Sequence, residues 1–284
     1  MRPASKICRE CGGLNSQDEE RCQRCGSPFP GSLTTTLQRV IPGVVGKDLP
    51  MTTALVGLCS IVFLLTTLDS KSLGFLEVSS YWPVLRWGAL APSLVPKEPW
   101  RLLSATFIHF GALHIVFNML ALIDLGKVLE RQLGSPRFGV LFISTALAGF
   151  IASHFWYSHV GRNDVTGGAS GGIFGLVGAL IGLLYARRDP AWKQVALRFG
   201  LYAALFFVML PVNNAAHAGG FALGFPLGYY FQRERRPANH HRLFRGLAAL
   251  GLVLSLASIG LSSHSKVWRS QRNAELDAQE RSGR

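Results

Sequence analysis

The sequence predicts an all-α polytopic membrane protein, a bundle of seven spans preceded by a small cysteine-bearing head. Three observations predict it. Of 284 residues, 49% are hydrophobic and only 16% are charged, below the roughly 25% charge usual for soluble domains. Apolar runs approaching the roughly 17–25 residues needed to cross about 30 Å of hydrocarbon recur along the chain. Brief loops join these runs, and the basic residues gather in alternate loops.

Residues 1–30 form the head and contain "CRECGGLNSQDEERCQRCG", two Cys-x-x-Cys knuckles separated by ten residues. Four thiolates at that spacing suit one tetrahedral structural zinc on Cys8, Cys11, Cys22 and Cys25. Disulfides or free thiols are the competing readings, and a reducing location works against disulfides. So short a segment has little apolar material with which to fold unless a metal helps. The expectation is therefore a zinc ribbon, either an interaction module for a cytoplasmic partner or a plain cap on the N-terminus. Residues 31–50, rich in Pro, Gly, Ser and Thr, read as a linker. No signal peptide is expected, because the first fifty residues lack an apolar core; the first span then serves as its own insertion signal.

The seven expected spans are residues 51–68, 113–128, 138–157, 171–186, 195–210, 217–231 and 243–261. Those starting at 113, 171 and 217 are short or carry polar residues. Cys59, inside the first span, reads as a small core residue. The net charge of +13 does not indicate nucleic acid, because no soluble domain collects it. Lys127, Arg131 and Arg137 follow the second span, Arg187, Arg188 and Lys193 the fourth, and Arg233, Arg235, Arg236, Arg242 and Arg245 the sixth. Basic loops face the cytoplasm, which puts the N-terminus inside and the C-terminus outside, as expected for a bacterial cell (inner) membrane. The basic tail, residues 263–284, lies on the wrong side for this rule, although Glu275, Asp277 and Glu280 dilute it.

Hydrogen-bonding side chains within spans are costly and point to function, with simple helix pairing as the alternative. Ser170 opens the fourth span among glycines, and a serine there can also merely cap the helix. His217 opens the sixth span, which runs in the same direction, so both residues begin near the outer leaflet. Gly220, Gly224 and Gly228 repeat every four residues in the sixth span, and Gly171, Gly175, Gly178 and Gly182 pair similarly in the fourth. Such shallow faces let helices approach closely, which brings the imidazole within reach of the hydroxyl, as a serine nucleophile requires. His114 and Asn118 share one helical face, where they can donate hydrogen bonds to a developing oxyanion. No carboxylate sits at the depth of His217, so the reading is a Ser/His pair rather than a triad.

These motifs resemble the rhomboid intramembrane serine proteases. The nucleophile motif Gly-x-Ser-Gly stands at Gly168, Ala169, Ser170 and Gly171, and the histidine motif at His217 and Gly220, preceded by Asn214. "HFGALHIVFN" supplies His109, His114 and Asn118, Trp100 and Arg101 close the first outer loop, and Glu130 and Gly134 follow the second span. The resemblance implies a six-helix catalytic core, residues 51–231. It leaves residues 232–262 as a cytoplasmic connection and a seventh, added helix, and residues 263–284 as a polar tail. It implies that the Ser170 amide, His114 and Asn118 form the oxyanion site, with Gly168 belonging to the nucleophile motif. Phe174 stands where many bacterial members have a tyrosine stacked on the histidine; only a hydroxyl is lost, so activity is still expected.

The function so implied is an endopeptidase that cuts transmembrane protein substrates near the outer face of the lipid bilayer, with no catalytic cofactor. Trp82, Trp87 and Trp100 in the outer segment read equally as interfacial anchors or as substrate contacts. A catalytically silent binding protein for transmembrane helices is the alternative, which loss of Ser170 or His217 would have favoured. A solute transporter would place charged or broken spans near mid-membrane, whereas here the polar residues lie near one face.

Overall fold

The computed structural model describes residues 5–7, 14–16, 19, 21–25, 29, 49–70, 81–209, 212–234, 240–270 and 272–273. A short antiparallel ribbon comes first, β1 (Ser5–Ile7) pairing with β2 (Leu14–Ser16), with Lys6 opposite Asn15. The named elements that follow are helical: α1 (Pro50–Asp69), α2 (Tyr81–Trp87), α3 (Arg101–Ser104), α4 (Ala112–Leu133), α5 (Ser135–His159), α6 (Ser170–Ala186), α7 (Ala191–Met209), α8 (Asn214–Arg233) and α9 (His241–His264). A 3₁₀ turn, Ala105–Phe107, continues α3.

The chain is an all-α polytopic membrane protein with several apolar, membrane-length helices. Among the described residues α1, α4, α5 and α9 are long and apolar enough to cross a membrane, and α6 is a shorter apolar helix of 17 residues. The helices outrun the apolar runs that mark them. α4, for example, continues past the expected end through Leu129, Glu130 and Arg131, because a helix end outside hydrocarbon tolerates charge. α7 and α8 have 19 and 20 residues, but Lys193 and Arg198 in α7, and the glycines, Gln232 and Arg233 of α8, dilute their apolar character.

The expectation of a structural zinc is overturned. Among the described residues no group of three or more His, Cys, Asp or Glu side chains is placed to hold a metal ion. A four-thiolate site needs its sulfurs to converge, yet Cys22 is buried with Sγ accepting a hydrogen bond from Asn15 Nδ2 (3.5 Å), while Cys25 is exposed. Cys8 and Cys11 lie outside the described residues.

Helices α6 and α8 pack backbone to backbone, and each helix supplies glycines to the seam. A Cβ on Gly220, Gly224 or Gly228 would land on the carbonyl oxygen of Gly171, Gly175 or Ala179, and one on Gly178 or Gly182 would land on that of Phe221 or Phe225. Helix α5 closes over this pair. Gly175 lies against Thr145, Gly172 against Phe142, and Gly149 against the Ala216 carbonyl. Where lipid provides no hydrophobic drive between helices, such close approach supplies the dispersion and weak polar contacts that hold them.

Two buried carboxylates fasten α1 and α9. Glu130 of α4 accepts from the Met51 and Thr52 amides, each at 2.8 Å, and from the Thr52 hydroxyl. It thereby caps α1, whose first residue, Pro50, has no N–H to satisfy. Glu98, 1% exposed, pairs with the fully buried Arg101. Arg101 also donates to the Leu85 and Ala89 carbonyls at 2.7 and 2.8 Å. Ser265, just beyond α9, donates its hydroxyl to Glu98. Helix α9 is thus fastened to the segment between α2 and α4, and Ser262 also lies 3.4 Å from Ser104.

Candidate active site

Ser170 is the first residue of α6, and the N-cap position belongs to Ala169, which has no side-chain cap bond. The serine hydroxyl is therefore not spent on the helix end. It lies 2.9 Å from His217 Nε2. The glycine seam sets this distance, because it brings the first turns of α6 and α8 to one level. The imidazole is held flat by Phe174, whose ring stacks on it with centroids 4.1 Å apart and planes 3° from parallel. No carboxylate forms an ion pair with His217 among the described residues.

Gly168 is required by both conformation and space. Its φ is +137°, a left-handed region that side chains avoid, and a Cβ there would meet His114 Nε2 at 2.9 Å and Ser170 Oγ at 3.7 Å. His114 therefore faces the turn that delivers the serine. Its Nδ1 accepts from the Phe110 amide (3.4 Å), so the ring proton belongs on Nε2, the nitrogen turned toward Gly168. His109, fully buried, stands edge-on to His114 with centroids 5.0 Å apart. Asn118 is buried, and its Nδ2 donates to the His114 carbonyl at 2.8 Å within its own helix. One amide hydrogen remains for another acceptor.

Asn213, rather than the Asn214 that the histidine motif singles out, connects the site to its surroundings. Its Nδ2 donates to Ser153 Oγ and Thr166 Oγ1, each at 2.7 Å, and its Oδ1 accepts from the Ala216 amide at 3.0 Å, capping α8 a few residues before His217. Thr166 is bridged backbone to backbone with Leu90, so the loop that leads to Ser170 is pinned from both sides. Asn214 is exposed and, among the described residues, its side chain reaches only the Val212 carbonyl, at 3.4 Å. The usable signal for Asn213 is the cap preference itself, an asparagine just before a helix that opens on polar and small residues. Among the described residues Arg101 bonds to Glu98, Leu85 and Ala89 and not to Ser170 or His217. Arg101 is a buried tie within the segment between α2 and α4, and Glu98, which neutralises it, has no motif to announce it.

Residues 96–234 match the family model described as Rhomboid domain. RHOMBOID-like protein 1 of Arabidopsis thaliana is 36% identical over 157 residues, covering 51% of this chain and 38% of the relative. RHOMBOID-like protein 5 of the same plant is 39% identical over 156 residues, 52% of this chain and 49% of the relative. Rhomboid protease GluP of Bacillus subtilis (strain 168) is 29% identical over 187 residues, 64% of this chain and 36% of the relative. The chain thus spans less than half the length of each of these relatives. The family-model match, which takes in α3 to α8 and leaves α1, α2 and α9 outside, joins these relatives in supporting a rhomboid-family membrane protein.

Proposed function

We propose, taking the rhomboid-family membrane protein supported above as premise, that this chain is an intramembrane serine endopeptidase acting through Ser170 and His217. The observation that carries this reading is the 2.9 Å contact between Ser170 Oγ and His217 Nε2. At that distance the imidazole takes the hydroxyl proton as Oγ attacks a peptide carbonyl, then returns it to the departing amine. Negative charge on the carbonyl oxygen falls to the Ser170 amide, His114 Nε2 and the remaining Asn118 amide hydrogen. Phe174 limits rotation of the imidazole, and so preserves the geometry between proton transfers.

The substrate is a transmembrane protein whose helix frays locally, since an intact helix offers no free carbonyl to the nucleophile. Cleavage falls near the outer face, with the N-terminus of the enzyme cytoplasmic and its C-terminus outside. This orientation rests on the basic loops and is read by reporter fusions at each end. The catalytic test uses a serine-directed fluorophosphonate and a single-span substrate. An adduct at Ser170, with cleavage abolished in Ser170→Ala and His217→Ala, is the expected result. Labelling at another residue, or undiminished cleavage by Ser170→Ala, rejects the assignment; absence of both labelling and cleavage in the native protein favours the silent helix-binding reading.

A further inference from the structure

The basic residues beyond α9, anomalous under the charge rule, line a hollow that the proposed chemistry does not use. Its volume is about 290 Å³, and its walls are Arg86 of α2 with Trp268, Arg269, Arg272 and Asn273. We propose that this hollow binds the phosphate of an anionic phospholipid headgroup.

The charge balance of the walls favours an anion. Asp69, at the end of α1, pairs with Arg86 at 2.6 Å. Among the described residues neither Arg269 nor Arg272 has an ion-pair partner, so two guanidinium groups converge on the hollow with no carboxylate of those residues paired to them. Arg86 Nε is buried and makes no hydrogen bond among the described residues, a donor that a phosphate oxygen would satisfy. Guanidinium forks suit phosphate oxygens in pairs, and the Asn273 amide adds a neutral donor.

The frame of the hollow is built rather than incidental. Trp268 is 4% exposed, its Nε1 donates to the Ser262 carbonyl at 3.2 Å, and the Arg269 guanidinium lies over its ring at 5.6 Å. A lipid source, rather than a soluble phosphate, follows from position. The hollow caps the end of α9 beside the end of α1, and both helices present exposed apolar side chains just below, Leu64 and Leu68 on α1 and Leu256 and Leu261 on α9. Guanidinium groups attract a phosphodiester by charge and paired hydrogen bonds whichever leaflet carries it, and tryptophan belongs at headgroup depth. Acyl chains leaving such a headgroup would run along these leucines.

The test is native mass spectrometry of the purified full chain, delipidated in mild detergent, with phosphatidylglycerol, phosphatidylcholine or inorganic phosphate added. The native protein is expected to retain phosphatidylglycerol in preference to phosphatidylcholine, and millimolar phosphate is expected not to displace it. Arg269→Gln with Arg272→Gln should lower that retention by about tenfold or more. Arg242→Gln with Arg245→Gln, at the opposite end of α9, should leave it within about twofold. Unchanged helicity and melting certify that each variant is folded. Equal retention of the two lipids, indifference to the Arg269 and Arg272 changes, or equal loss from the Arg242 and Arg245 control overturns the proposal. Displacement by free phosphate also overturns it, by making the hollow a site for small soluble anions.

Discussion

At the scale of single residues, the candidate site depends on side chains that hold other side chains in place. Asn213 caps α8 and satisfies two hydroxyls with one amide group. Asn213→Ala should lower stability by about 1–3 kcal/mol through the lost cap and the two orphaned hydroxyls. Cleavage should fall as well, because the turn bearing His217 loosens; unchanged melting and an unchanged rate would show that the amide positions nothing. Gly168→Ala imposes a Cβ on a left-handed backbone and pushes it against His114. A loss on the order of a hundredfold in kcat is expected from displacement of the reacting groups, with a far smaller change in KM. A pure rise in KM would instead place Gly168 in substrate binding.

Among elements, the α6–α8 seam sets the reacting distance, and its glycines divide sharply by what surrounds them. Gly220 faces the Gly171 carbonyl, whereas Gly260 of α9 has nothing within 4 Å of an added Cβ. Gly220→Ala must push the α6 and α8 backbones apart and should cost about 1–3 kcal/mol or more, on the scale of overpacking a tight core. Gly260→Ala should be neutral or stabilise by up to about 1 kcal/mol, as alanine favours helix. Thermal unfolding in detergent reads both. Equal tolerance of the two changes would mean that the helices do not approach as closely as the seam requires. The sequence spacing of these glycines foretells a close contact, but not which carbonyl each one meets.

For the whole molecule, fastening α9 to the rest depends on charged groups at both of its ends. Near its far end, the Glu98–Arg101 pair is buried and accepts Ser265 as a third member. Glu98→Gln leaves the Arg101 charge uncompensated and should destabilise by about 3–5 kcal/mol; a shift in melting well below that range would contradict the burial. Near its start, Glu234 meets Arg137 at 3.0 Å and His240 at 2.6 Å, while Arg137 stacks over Phe244 of α9 at 4.6 Å. Burial works to raise the Glu234 carboxyl, but hydrogen bonds from His240 and Arg137 outweigh it and hold the group below its usual value. A depressed carboxylate stabilises the fold above its unfolded pKa, and that contribution fades as pH falls through the depressed value. Melting of the native protein should therefore decline on acidification below about pH 4 more steeply than that of Glu234→Gln. Parallel declines would remove Glu234 from the account.

The sequence by itself determined the membrane-protein class, and several of its apolar runs coincide with membrane-length helices. Hydropathy and glycine spacing are local properties, and the bilayer imposes them on the chain one segment at a time. It also suggested a zinc site from cysteine spacing alone, and that failed because spacing permits a cluster without building one: among the described residues no group able to hold a metal ion forms, and the Cys22 sulfur instead meets an asparagine amide. Only the tertiary structure decided that Asn213 rather than Asn214 anchors the histidine turn, that Glu98 neutralises Arg101, and that α9 is tied to the segment between α2 and α4 through Ser265. Each of these joins residues that no periodicity links. Their pairing is fixed by which buried polar groups must find partners once the helices have packed, a condition that exists only in the assembled fold.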